Sequence, residues 1–210
     1  MPVTGAWREG DAPGHRRFIR CPGDLALEGD QVPPDSPLLL GTWGELNADA
    51  SNVIWLGHPF SADSHVAGEA DATHPTPGCG TMWSGPAGRS TPCGTSVAAD
   101  ILGGCQGSTG PDCAPWGSRF PRLSFRDTVA ADVLLADVLG IHHWAAVIGC
   151  SMGGCRALEW AITHPDPVVS LLAIGCGAYT TAEMIAQGYN QIKAITDDPG
   201  WHGGDCYQRS

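Results

Sequence analysis

What constrains this chain most is a run of four alternating elements between residues 125 and 174. Ser124 and Asp127 make an S-x-x-D capping signal, and behind them Val129, Val133, Leu134, Ala136 and Val138 recur at helical spacing until Gly140 supplies a stop. The spacing predicts a helix over 125–139. Trp144-Ala145-Ala146-Val147-Ile148 follows as a short continuous apolar run, the pattern of a strand buried on both faces. Residues 151–164 read as a second helix that ends before Pro165, and residues 168–174 as another buried strand. Helix, strand, helix, strand is the alternation of an α/β fold: an open, mostly parallel sheet with helices on both faces.

At the junction of the first strand and second helix stands Gly149-Cys150-Ser151-Met152-Gly153. A nucleophilic serine must project clear of its backbone, with an N–H close by to receive an oxyanion, and a tight strand-to-helix turn provides both. Glycines on either side permit that turn, so Ser151 is the candidate nucleophile. Serine also caps helices well, but a cap role explains neither flanking glycine.

Upstream, residues 1–24 lack periodicity and read as a loose leader, with order expected to begin near Asp24; residues 24–29 read as a short strand entering a turn. Residues 37–43 and 52–56 are apolar stretches separated by a polar segment, the pattern of two strands joined by a hairpin-length loop. Residues 57–94 are dominated by Gly, Pro, Ser, Thr and His, a length of irregular chain that is usually functional or disordered. A strand is expected over 95–102. It is followed by a glycine-rich loop, 103–111, which lacks the G-K-[ST] ending of a phosphate loop. With 210 residues in all, one domain is expected, read as a partial domain over 25–210.

A formal net charge of -11 and the lack of any basic cluster larger than His15-Arg16-Arg17 argue against a nucleic-acid or anionic-membrane surface. No segment approaches the apolar length of a membrane span, and residues 1–11 do not resemble a signal peptide, so a cytoplasmic location is expected. The nine cysteines lack C-x-x-C spacing; no metal site is expected, and they read as reduced, mostly packed thiols.

Several segments together resemble the homoserine O-acetyltransferases: His58-Pro59-Phe60-Ser61-Ala62-Asp63-Ser64-His65, Leu102-Gly103-Gly104-Cys105-Gln106-Gly107-Ser108-Thr109-Gly110-Pro111, Trp116-Gly117-Ser118-Arg119-Phe120-Pro121 and Gly149-Cys150-Ser151-Met152-Gly153-Gly154. The likeness continues through Ala157-Leu158-Glu159-Trp160, Ala194-Ile195 and Asp198-Pro199-Gly200-Trp201, covering residues 25–207. It implies an α/β-hydrolase-like fold and a two-step transfer, in which the serine takes an acetyl group from acetyl-CoA and passes it to the hydroxyl of homoserine, a step toward methionine. Acetyl-CoA would be a co-substrate, with no bound cofactor. The resemblance also implies that the backbone N–H groups of Met152 and Phe60 form the oxyanion hole, and that Arg119, Gly103 and Gly104 wall the substrate entrance. His58 and His65 would belong to the oxyanion loop and not act as bases.

Serine acyl transfer needs a histidine base and a carboxylate to orient it, and in this superfamily both follow the serine. Only His164 and His202 do so here, and both match non-catalytic positions. In the family the acid and histidine lie beyond the position matching Ser210, with the last strands and most of a helical lid through which a homodimer forms. The chain therefore reads as truncated before them, with an uncovered sheet edge and poor stability alone. Smaller departures are Cys79-Gly80 in place of paired tryptophans, Cys150 in place of glycine, and Asp166-Pro167 in place of Asp-Arg. The alternatives are an inactive remnant, a related serine O-acyltransferase or homoserine O-succinyltransferase, and an esterase that gives the acyl group to water.

Overall fold

A computed structural model describes residues 11, 14–20, 25–29, 37–70, 74–79, 95–111 and 116–205. Six strands form one sheet: β1 (Arg17–Arg20), β2 (Pro37–Trp43), β3 (Val53–Gly57), β4 (Thr95–Ala99), β5 (Ala146–Cys150) and β6 (Leu171–Ile174), in the order β1-β2-β4-β3-β5-β6. The pairs β1–β2 and β2–β4 are antiparallel, whereas β4–β3, β3–β5 and β5–β6 are parallel. The three helices are α1 (Phe125–Leu139), α2 (Met152–Thr163) and α3 (Ala182–Thr196).

Helix α1 begins and ends as its sequence dictates. The Asp127 N–H donates to Ser124 Oγ, and the Ser124 N–H donates to Asp127 Oδ2 at 2.8 Å, closing a reciprocal capping box. At the other end Gly140 adopts φ 68°, ψ 28°, the left-handed conformation that glycine enters without a Cβ penalty, and its N–H reaches back to the Ala136 and Asp137 carbonyls.

Three upstream expectations are corrected. Arg17–Arg20, inside the supposed leader, forms β1 and pairs with β2, so order begins before Asp24. Residues 25–29 are not a strand: they run irregularly into a turn, with Leu25 and Leu27 buried and the Glu28 N–H donated to Asp127 Oδ1 at 2.7 Å. Alternating apolar residues here mark a segment packed on the core without a ladder partner. Finally, β2 and β3 do not form a hairpin, because β4 inserts between them. All five residues of β4 are buried, which suits a strand flanked on both edges.

The core joins the central strands to α2 through three tryptophans. Trp160 of α2 packs edge-on against Trp55 of β3 (ring centroids 6.4 Å apart) and Trp144 (5.7 Å). Such pairs add about 0.5–1.5 kcal/mol each beyond their burial. Beside them Arg156 of α2, fully buried, places Nη2 2.8 Å from both oxygens of Asp132 on α1 and its guanidinium 5.0 Å over the Trp55 ring. This ion pair pins α1 against α2. Helix α3, which the sequence reading missed, is different: Thr181 Oγ1 accepts from the Met184 N–H at its start, yet none of its residues is buried.

Candidate active site

The strand-turn-helix junction forms as expected. β5 ends at Cys150 and α2 begins at Met152, with Ser151 between them at φ 54°, ψ -118°. That conformation costs a non-glycine residue on the order of 1–3 kcal/mol and persists only where its surroundings enforce it. Ser151 occupies the N-cap position but makes no side-chain cap hydrogen bond, and it is exposed. Its conformation therefore does not serve helix capping. Its N–H donates to the Ile174 carbonyl at 2.8 Å, anchoring the turn to β6.

The flanking glycines have a steric reason. A Cβ at Gly149 would strike the Gly153 carbonyl, and a Cβ at Gly153 would strike the carbonyl of Gly57, the last residue of β3. A Cβ at Gly57 would in turn meet the Trp55 ring at 2.6 Å and the Gly153 carbonyl at 2.8 Å. The backbones of the elbow and of the chain leaving β3 thus touch directly. That contact brings the segment beginning at His58 against the start of α2.

A cavity of about 920 Å³ opens there, bordered by Phe60 and Met152, by Gly103 and Gly104, and by Phe120, Leu123, Phe125 and Trp201 among others. Ser151 is not itself among its lining residues; its neighbour Met152 is. Neither the Phe60 nor the Met152 N–H donates to a protein acceptor among the described residues. Four of the six expected site residues, Phe60, Met152, Gly103 and Gly104, therefore border one space. Gly103 holds φ +83°, and a Cβ on it would meet Leu123 Cδ1 at 2.7 Å, so glycine is required where the loop bends.

Arg119 is the exception. Its neighbours Gly117, Ser118 and Phe120 border the cavity, but Arg119 does not; its Nη2 lies 3.4 Å from Asp205 Oδ1, with its side chain 58% exposed. The expectation that Arg119 walls the substrate entrance is corrected: the short 3-10 turn Gly117–Arg119 turns the guanidinium outward.

Behind the loop that carries Phe60 lies a buried polar cluster that the sequence reading did not assemble. Asp100, directly after β4, faces the Ser64 N–H at 2.7 Å and Ser64 Oγ at 2.8 Å. Asp63 lies 2.8 Å from His74 Nε2 and accepts from the His65 N–H at 2.8 Å. Arg16, from the supposed leader, is buried with Nη1 3.5 Å from Asp63 and 3.8 Å from Asp100. Burial pushes the Asp100 carboxyl up to about 8, with the charge of Asp63 adding to the effect. Hydrogen bonds from His74 and His65 and the charge of Arg16 outweigh burial at Asp63 and hold its carboxyl low. The one available signal was Asp63 in a segment of small and apolar residues close behind β3, since an Asp needs a partner to be buried.

His58 is buried, with Nδ1 2.9 Å from the Pro59 carbonyl and Nε2 accepting the Ile101 N–H at 3.2 Å. Desolvation lowers its pKa to about 4, and the charge of Arg156 acts in the same direction. His65 stacks on His74 with centroids 4.1 Å apart. His164 packs against Trp160 at the far end of α2, about 18 Å from Ser151 by helix rise. His202 sits in the 3-10 segment Pro199–Gly204. Among the described residues no histidine bonds Ser151, and no cluster of metal-ligating side chains occurs. Among the described cysteines Cys79, Cys105, Cys150, Cys155 and Cys176 are free thiols, the last three partly buried and the first two exposed; the other four lie outside the described residues.

Comparison with known proteins agrees with this geometry. A family model described as the alpha/beta hydrolase fold matches residues 95–205, just over half of the chain. The chain is 49% identical to the homoserine O-acetyltransferase of Thermobifida fusca (strain YX), an alignment covering 100% of this chain and 57% of that protein. It is 47% identical to the homoserine O-acetyltransferase of Mycolicibacterium smegmatis, covering 88% and 50% respectively. Among solved structures, homoserine O-acetyltransferase from Bacillus anthracis superposes with a TM-score of 0.80 at 26% identity, over 93% of this chain and 56% of that one. Esterase E22 superposes with a TM-score of 0.79 at 29% identity, over 90% and 55%. The chain spans about half the length of the curated relatives it matches. With the strained serine elbow, the parallel sheet and the matched segment in agreement, the chain belongs to the alpha/beta hydrolase fold family, and within that family it is similar to the homoserine O-acetyltransferases.

Proposed function

We propose that this chain carries the nucleophile and oxyanion portion of a serine acyltransferase that moves an acetyl group from acetyl-CoA to the side-chain hydroxyl of L-homoserine. The observation that carries the proposal is Ser151 itself, held at positive φ between two obligatory glycines with its hydroxyl uncommitted to capping. In the first step Ser151 Oγ attacks the thioester carbonyl, the Met152 and Phe60 N–H groups receive the developing oxyanion, and the C–S bond breaks as CoA leaves as its thiol. In the second, the homoserine hydroxyl attacks the acetyl-serine carbon, and O-acetylhomoserine departs with Ser151 regenerated. The proton from Ser151 needs a histidine base oriented by a carboxylate. No described histidine is positioned for that role, and we assign base and acid to the length of the relatives that this chain does not span.

Acetyl-CoA acts as a co-substrate in this reading, with no resident cofactor and no nucleic-acid or membrane partner; among the described residues no helix is long and apolar enough to cross a membrane. A cytoplasmic location and a homodimer are part of the same proposal. The exposed stripe Ile185, Tyr189 and Ile192 along α3 is a suitable surface for the dimer contact.

The test is incubation of the folded chain with radiolabelled acetyl-CoA, with and without homoserine, followed by peptide mapping. Slow label on Ser151, at the residual rate that an oxyanion hole and substrate binding support without base and acid, is expected, lost in Ser151→Ala and discharged by homoserine. Discharge by water at the same rate in the absence of homoserine would convert the reading to an ester hydrolase, and a folded chain that takes no label at Ser151 would sink it for this polypeptide.

A further inference from the structure

The loop that carries Phe60 is held at two points by two consecutive residues. His58, at its start, accepts the Ile101 N–H on Nε2, and Ser64, at its end, meets the Asp100 carboxyl through its N–H and its hydroxyl. Asp100 and Ile101 directly follow β4, the fully buried strand beside β3, so the clamp is referenced to the buried centre of the sheet. Asp100 is fixed in turn, its own carbonyl accepting from Ser108 Oγ at 2.8 Å. The other ring nitrogen of His58 lies 2.9 Å from the Pro59 carbonyl, the carbonyl one peptide before the Phe60 N–H. Pro59 contributes no N–H, and the Phe60 N–H has no protein acceptor among the described residues. In the loop's own backbone the Pro59–Phe60 peptide is held by the Ala62 N–H, which donates to the Pro59 carbonyl at 3.1 Å, and His58 is the group that ties this turn to the sheet.

We propose that His58 is a positioning residue for the Phe60 N–H: its imidazole ties the Pro59–Phe60 peptide to the Ile101 N–H and thereby aims the donor at the oxyanion formed on Ser151. This rests on the reading of Phe60 as an oxyanion donor. An accepted backbone N–H on Nε2 requires the tautomer with its proton on Nδ1, which then donates to the Pro59 carbonyl; both bonds need a neutral ring. Burial supplies that condition by holding His58 neutral above about pH 4. An oxyanion donor acts only when its nitrogen lies about 2.7–3.1 Å from the place where the charge develops, and losing one costs roughly 10²- to 10³-fold in rate.

Three variants separate the two bonds. Gln in place of His58 sets an amide oxygen near the Nε2 position and can accept the Ile101 N–H. Asn reaches only the Nδ1 position, and Leu makes neither bond. The probe is 4-nitrophenyl acetate, with nitrophenolate release followed and acetyl-Ser151 quantified by mass; folding is checked by the near-ultraviolet signal of the tryptophans. His58→Leu, which makes neither bond, is expected to lose roughly 10²-fold in acylation rate with the Phe60 amide resonance displaced, and His58→Asn and His58→Gln, each keeping one of the two bonds, to show a smaller loss and a smaller displacement. In the unsubstituted chain a hydrogen-bond coupling between the Ile101 N–H and His58 Nε2 is expected, which needs no variant to fold. Folded His58→Asn with an unshifted Phe60 amide and undiminished acylation would overturn the proposal, as would an Nε2 that carries a proton. Failure of the unsubstituted chain to acylate Ser151 would count against the reading of the site, while the amide spectra would still decide the clamp.

Discussion

The centre of the sheet and its β6 edge are finished to different degrees. Around β4, β3 and the elbow, backbones touch through obligatory glycines, Trp55 and Val147 are 2% and 0% exposed, and even the charged groups Arg16, Asp100 and Arg156 are buried among partners. Beyond β5 the picture reverses: Leu172 of the edge strand β6 is 47% exposed, and Ile185, Tyr189 and Ile192 of α3 are each more than 60% exposed. Monomeric proteins rarely leave contiguous apolar surface of this kind uncovered. The contrast teaches that the elbow and the loop carrying Phe60 are shaped by contacts within this chain, whereas the β6–α3 end leaves its apolar side chains exposed.

The sharpest way to break the well-packed side is Asp132→Ala. It leaves Arg156 buried without its carboxylate, and a loss of about 3–5 kcal/mol is expected, read as a lower urea midpoint. A midpoint unchanged from the parent would mean that the pair contributes nothing to holding α1 on α2.

Gly149→Ala comes next. Its methyl meets the Gly153 carbonyl, so overpacking of about 1–3 kcal/mol is expected together with loss of Ser151 acylation. An alanine variant with full stability and full acylation would show that the elbow is looser than its backbone contacts indicate.

A pH titration sharpens the buried polar cluster. Asp100, facing Asp63 and Arg16, is raised from 3.8 to about 8, so between those values the folded chain keeps a proton that the unfolded chain has released, and stability falls as pH rises. His58, facing Arg156, Asp63 and Asp100, is lowered from 6.5 to about 4, so over that interval the unfolded chain holds the extra proton and stability rises with pH. The two slopes oppose each other below pH 6.5. Above it only Asp100 acts, giving a decline of about 2 kcal/mol between pH 6.5 and 8. Asp100→Asn should remove that decline and uncover the rising limb below pH 6.5; denaturation at pH 5, 6.5 and 8 checks both.

The smallest effect is expected on the uncovered side. Ile192→Ser should change stability by no more than about 0.5 kcal/mol, because the residue loses little burial, while reducing self-association in sedimentation. A cost of the size seen in the core would mean that α3 is packed in solution.

Much of this was legible in advance where the signal was local. Helix α1 followed from Ser124, Asp127 and Gly140, whose hydrogen bonds span only a few residues. The elbow followed from two glycines flanking a serine at a strand-to-helix switch. Helix α3 was missed although the Thr181 cap and the Ile185, Tyr189, Ile192 spacing carry its signal. The pairing of Arg16, Asp63, His74 and Asp100 was not legible, since its members lie far apart in sequence and meet only when β4 enters between β2 and β3. Arg119 was misplaced for a related reason: a motif fixes a residue's neighbours but not the side to which a short turn directs its side chain.

By itself, then, the sequence determined the alternating architecture, the capped helix and the strand-turn-helix junction at Ser151, because periodicity, capping and glycine sterics act over a few residues. Tertiary structure alone decided the strand order, the burial of Arg16 and Asp100, and the clamp on the Phe60 loop. Those depend on which distant segments come to share a dehydrated interior, where an unpaired charge is costly and a hydrogen bond must find its partner across the fold.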